Sequence, residues 1–108
     1  MLPLTYDECR ARFRRAAQLT GTTVGSHPIR AHGPHGQVLT VDVVSVGAPA
    51  AERALLVMSG VHGVEGFIGS AMQCELLANL AATELREELK VVLVHAVNPW
   101  GMAWWRRQ

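Results

Sequence analysis

The chain opens on a helical period. Thr5 and Glu8 have the spacing of a capping box, and Tyr6, Cys9, Phe13, Ala16 and Ala17 then recur on one side of a helix running to about Leu19. Thr20-Gly21 ends it. From Thr22 the pattern shortens to β-type runs: Ile29 to Ala31, a turn-rich Gly33-Pro34-His35-Gly36, then Val38 to Val46, which together predict a hairpin. Gly47 to Glu52 reads as a loop, and the compact apolar run Ala54 to Met58 as a buried strand. Ser59-Gly60 bends the chain. From about Gly66 a second helical period begins, with Phe67, Ile68, Ala71, Met72, Leu76, Leu77 and Leu80 as its apolar set. A polar stretch through Thr83, Glu84, Glu87 and Glu88 leads to Lys90, and Val91 to Val97 is a second continuous apolar run, closed by Asn98-Pro99. The order β, α, β with buried strands predicts a parallel pair joined by a right-handed crossover. The fold class expected is α/β: an N-terminal helix, a β-hairpin and a β-α-β unit.

Composition narrows the picture modestly. A chain of 108 residues, 49% hydrophobic and 18% charged, suits one globular core. Ten Lys and Arg against nine Asp and Glu leave a net charge of +1, too little for a field that would gather nucleic acid or anionic membrane, so neither partner is expected. The basic cluster Arg10, Arg12, Arg14 and Arg15 reads as a solvated helix face, with Asp7 to Arg10 and Glu8 to Arg12 spaced as ion pairs. Cys9 and Cys74 form no C-x-x-C motif and no disulfide framework. The first fifteen residues contain Asp7, Glu8 and four arginines, unlike a signal peptide, and the apolar runs are far shorter than the ~20 residues of a membrane span. A cytoplasmic location is the expectation.

The chemistry concentrates in Ser59-Gly60-Val61-His62-Gly63-Val64-Glu65-Gly66, at the carboxyl end of an expected strand, where α/β proteins place ligands. His62 and Glu65 are three apart, so on a helical turn both side chains leave one face and can converge on an ion. An imidazole nitrogen and a carboxylate are zinc ligands, and two histidines with one glutamate leave an open position for water in catalytic sites. A plainer reading also fits: Glu65 as an acid favoured at a helix N-terminus, and His62 as a hydrogen-bonded turn residue.

Two strings add a resemblance. Val57-Met58-Ser59-Gly60-Val61-His62-Gly63-Val64-Glu65-Gly66-Phe67-Ile68-Gly69-Ser70, followed by His95-Ala96-Val97-Asn98-Pro99-Trp100-Gly101-Met102-Ala103-Trp104, resembles a bacterial domain-of-unknown-function branch of the zinc carboxypeptidase superfamily. The resemblance covers roughly residues 25 to 108. It implies Zn²⁺ as cofactor, His62 and Glu65 as metal ligands, Asn98, Pro99 and Gly101 as a structural turn, and Arg106, or Arg107 if the match slips by one, as the arginine that polarises the scissile carbonyl. The implied activity is zinc-dependent hydrolysis of an amide or peptide bond, with a peptide or acylated amino acid as substrate. A later Asn-Arg pair, a third histidine ligand and a catalytic glutamate are also implied, and none lies before Gln108. The resemblance further implies that these elements belong to a larger mixed sheet of zinc-carboxypeptidase type, with residues 1–108 the N-terminal part of a single carboxypeptidase-like domain, truncated and inactive alone.

The remaining histidines do not fill the gap. His95 sits in an apolar strand and reads as a core residue, His32 and His35 flank a turn, and His27 has no partner in sequence. Trp100, Trp104 and Trp105 crowd the last nine residues, which suggests a core lacking its other half and a chain prone to self-association. One rival reading is a non-catalytic binding or structural remnant. Another takes His62-Gly63 as the oxyanion loop of a serine hydrolase, which needs a G-x-S-x-G that this sequence lacks.

Overall fold

The computed structural model describes residues 2–108. It contains α1 (Tyr6–Gln18), β1 (Gly25–His32), β2 (Val38–Gly47), β3 (Arg53–Met58), α2 (Gly66–Ala81), β4 (Leu89–His95) and a short α3 (Pro99–Ala103). The four strands form one mixed sheet in the order β1-β2-β4-β3. The expected hairpin is β1 antiparallel to β2, and the expected parallel pair is β3 beside β4. Between them, β2 and β4 run antiparallel, with Asp42 opposite His95 and Val46 opposite Val91.

Alternation decides which face is covered. Asp42, Val44 and Val46 of β2 and Val91, Leu93 and His95 of β4 are buried, while Val43, Val92 and Val94 remain partly open. The covered face meets two helices. Phe13 and Ala17 of α1 and Leu77 and Leu80 of α2 join Val44, Val46, Val91 and Leu93 in one core. A second core, formed by Tyr6, Cys9, Leu39, Phe67, Ala96 and Met102, lies where α1 meets the ends of β4 and α3. Helix α1 starts as its sequence predicts, with the Thr5 side chain accepting from the Glu8 N–H.

Three expectations are corrected. Strand β3 is an edge strand, not a buried one: Leu55, Leu56 and Met58 are each more than half exposed. Its apolar run has a partner on one side only, so continuous hydrophobicity does not here mark an interior position. On α2, Ile68 and Met72 are exposed at 60% and 68%, whereas Ser70 and Gln73 are buried in their place. Finally, Arg10 does not pair with Asp7. It reaches across to the fully buried Asp42 at 2.9 Å, while Asp7 accepts from Gln37, and only the Glu8–Arg12 pair forms as spaced.

Candidate metal centre

Strand β3 delivers the chain into a bend at Ser59-Gly60, both buried, with Gly60 at φ 69°, a left-handed conformation natural to glycine. Backbone bonds carry the parallel pairing past the strand ends: the Ser59 N–H donates to Val94 O, the Val97 N–H to Ser59 O and the Asn98 N–H to Gly60 O. The Ser59 hydroxyl also accepts from the Ala96 N–H. Two strand ends are thereby held side by side, with residues 61–65 leaving one and residues 96–98 leaving the other.

On the first of these loops, His62 Nδ1 lies 3.2 Å from Glu65 Oε2, and both side chains face solvent, at 36% and 66% exposure. Glu65 occupies the N-cap position of α2 but its carboxylate caps no backbone N–H, so it is turned toward His62 and not into its own helix. The plainer reading is met as well, since Glu65 stands at the N-terminus of α2 and His62 is within hydrogen-bonding distance of it in the turn. Two ligands each about 2.1 Å from a tetrahedral ion stand roughly 3.4 Å apart. The observed separation fits a shared ion as well as it fits a direct hydrogen bond. The two residues suit two positions of such a site, and among the described residues no cluster of three or more His, Cys, Asp or Glu forms that could hold a metal.

The second loop holds the Asn98-Pro99-Trp100-Gly101 turn. The Asn98 side chain accepts from the Gly101 N–H at 2.9 Å, capping α3, whose first residue is Pro99. Arg106 and Arg107 come back to the H-x-x-E loop through their backbone. The Arg106 N–H donates to Gly101 O at 2.7 Å, and Arg107 O accepts from the Gly63 N–H at 2.8 Å. The Arg106 guanidinium carbon sits 5.5 Å from the centre of the Trp100 ring. The tryptophans are not a loose tail: Trp105 stacks on Phe67 of α2 and Trp104 donates from its indole to His32 O, although both rings stay substantially exposed.

Behind the loops lies a polar layer of which the sequence had singled out only His95, as the core residue it proves to be. The Gln73 amide donates to Val57 O and to Val94 O, the carbonyls at the ends of β3 and β4. His95 is fully buried, with Nε2 2.8 Å from Ser70 Oγ and its ring stacked on Phe13 at 4.5 Å. Its Nδ1 has no hydrogen-bond partner among the described atoms. Burial lowers its pKa to about 4, with Asp42 pulling upward and Arg10 downward, so the ring is neutral at pH 7. Tyr6 OH bridges to Thr40, accepting from its N–H, and Thr40 Oγ1 donates to Asp42. A polar residue inside an apolar period, Gln73 on α2 and Asp42 on β2, was the available signal. His27, His32 and His35 are exposed and stand apart from this layer.

The family described as "Protein of unknown function (DUF2817)" matches residues 3–108. No curated protein matches at a significant level. Among solved structures, the chain is similar to a Porphyromonas gingivalis glutaminyl cyclase, with TM-score 0.60 and 14% identity over 82% of this chain and 38% of that one. It is also similar to the Macrostomum lignano glutaminyl cyclase, with TM-score 0.53 and 18% identity over 82% and 30%. For the Fimbriiglobus ruber glutaminyl cyclase the TM-score is 0.50, with 13% identity over 86% and 45%. The chain therefore shares its fold with part of these proteins and spans less than half the length of each.

Proposed function

The chain belongs to the DUF2817 family, and from that premise we propose that it carries part of the metal site of a zinc-dependent enzyme acting on an amide or peptide carbonyl, as the N-terminal part of a larger carboxypeptidase-like domain. The observation that carries the proposal is the His62 Nδ1 to Glu65 Oε2 approach of 3.2 Å beyond the end of β3. For His62 to present an Nδ1 lone pair to the ion, its proton must sit on Nε2, and Glu65 must offer a carboxylate oxygen. A zinc ion bound there would lower the pKa of a water and polarise a carbonyl oxygen. Arg106 would offer guanidinium N–H groups to that oxygen as it gains charge, held in orientation by the face of Trp100. In this reading a peptide or acylated amino acid is the substrate, and the third ligand and general base come from residues beyond the 108.

A second reading, cyclisation of a glutaminyl residue by its own amine, is favoured by the fold shared with glutaminyl cyclases. Both readings need the same activated amide carbonyl. Calorimetric titration of the purified chain with Zn²⁺ separates them from a non-catalytic remnant. Weak binding should occur, and His62→Ala or Glu65→Gln should weaken it about tenfold or more, whereas His32→Ala and His35→Ala leave it unchanged. Equal binding by His62→Ala would refute the metal site. The chain alone should hydrolyse no amide above a metal-free control.

A further inference from the structure

The two loops touch through glycines. A methyl group built on Gly63 would overlap the Gly101 carbonyl carbon and Arg106 O, and one on Gly101 would meet the Asn98 amide nitrogen at 2.7 Å and lie 3.0 Å from both Gly63 Cα and Arg106 O. Neither glycine has a positive φ, so the backbone angle does not require glycine at either position. What requires it is the approach of one main chain to another. Gly63 lies between His62 and Glu65, its N–H is bonded to Arg107 O, and its own carbonyl accepts from the Gly66 N–H at the start of α2. On the other side, Gly101 is fixed by the Asn98 side chain and accepts from Arg106. Every bond that fixes the middle of the H-x-x-E loop therefore leads either to α2 or to the Asn98–Arg107 segment.

We infer that the Asn98-Pro99-Trp100-Gly101 turn and the Arg106–Arg107 backbone act as a positioning clamp on Gly63, setting the separation and common direction of His62 and Glu65. The inference deepens the metal-site reading and rests on it for the purpose of the clamp, though not for its existence. An exposed histidine and glutamate on a free loop would sample many rotamers, and ordering them on metal binding would cost affinity. The clamp removes much of that cost by fixing the backbone that carries them. Asn98 and Gly101 are positioning residues here: neither need touch a ligand.

The test uses the full chain in four variants. Gly101→Ala wedges the clamp, Asn98→Ala releases its cap more gently, and Asn98→Asp restores an acceptor at the same place. Gly47→Ala is the stability control: Gly47 has φ 115° and a methyl there would meet Leu89 O at 2.9 Å, at the opposite end of the sheet. Two readouts are taken beside the thermal midpoint: Zn²⁺ affinity, and nuclear Overhauser contacts between the His62 ring and the Glu65 methylenes in metal-free protein. Loss of those contacts and at least fivefold weaker Zn²⁺ binding in Gly101→Ala and Asn98→Ala are expected. Recovery in Asn98→Asp and no change in Gly47→Ala complete the expected pattern. Should Gly101→Ala fail to fold, the Asn98 pair decides alone. Contacts retained in Asn98→Ala, or lost equally in Gly47→Ala, would overturn the clamp. If His62→Ala binds Zn²⁺ as the parent does, the metal reading fails, and the clamp stands or falls on the metal-free contacts.

Discussion

Acidification should destabilise this protein in large part through one residue, His95. The ring is wholly buried against Phe13 and Ser70, and burial holds its pKa near 4, against about 6.5 for an exposed histidine. Protonation would place a donor on both ring nitrogens, and Nδ1 has no acceptor in reach among the described atoms. Asp42 and Arg10 are the charged groups that act on it, in opposite senses, and they are paired with each other at 2.9 Å. The sign follows from linkage: the unfolded chain takes up the proton first, so stability is intact above pH 6.5 and falls as the pH drops toward 4. Between pH 7.5 and 4.5 the loss works out at about 2–3 kcal/mol, a large part of the ~5–10 kcal/mol expected of a small domain. Urea unfolding at the two pH values measures it. His95→Asn, which keeps a polar partner for Ser70 without a titrating ring, gives the background from carboxylates. The difference between parent and variant should recover about 2–3 kcal/mol of pH dependence. Equal pH dependence in the two proteins would refute the reasoning, and would mean that solvent reaches the ring or that Ser70 and Phe13 are not its neighbours.

Other outcomes follow from the same contacts. Tyr6→Phe leaves the buried Thr40 N–H without its acceptor and should cost about 1–3 kcal/mol in denaturant unfolding. Gln73→Leu removes both amide bonds to the ends of β3 and β4, and the Ser59 amide, which lies beside them, should exchange its hydrogen faster than the amides of β2. The exposed apolar edge strand should make the chain self-associate in sedimentation, and Leu56→Lys, which places a charge there, should lower that association without lowering the thermal midpoint. Unchanged association would move the sticky surface elsewhere, to the Ile68–Met72 side of α2.

The sequence made local features legible and left distant ones hidden. The Thr5 cap, the hairpin and the His62–Glu65 pair depend on residues within a few positions of one another, and each appears as spaced. Arg10 had one acid, Asp7, at helical spacing and another, Asp42, thirty-two positions away on β2, and only the fold reveals that the distant one wins. Burial explains the outcome, because an unpaired Asp42 carboxylate in the core would be far more costly than an unpaired Asp7 in water. The edge position of β3 is hidden for a related reason. Its apolar run looks like that of β4, and the difference lies in strand order, since β4 has partners on both sides and β3 on one. The same holds at the candidate site: spacing shows the His62–Glu65 pair, but the contact of Gly63 with Gly101 spans the whole of α2 and β4.

The strand order also has a temporal side. The β1–β2 hairpin can form as soon as residue 47 is available, but β3 has no neighbour in the sheet until β4 exists, because β4 lies between it and the hairpin. From Met58 to His95 is 95 − 58 = 37 residues of chain. At ribosomal speeds of about 5–20 residues per second, Leu55, Leu56 and Met58 wait roughly 2–7 s for a pairing partner while the nascent chain lengthens. During that interval the segment is an unsheltered apolar strand attached to a preformed hairpin. Synthesis therefore adds a period in which the backbone of β3 is unpaired as well as its side chains exposed, and a chaperone that holds extended apolar segments should engage it after residue 58 and hold it less tightly once β4 has paired.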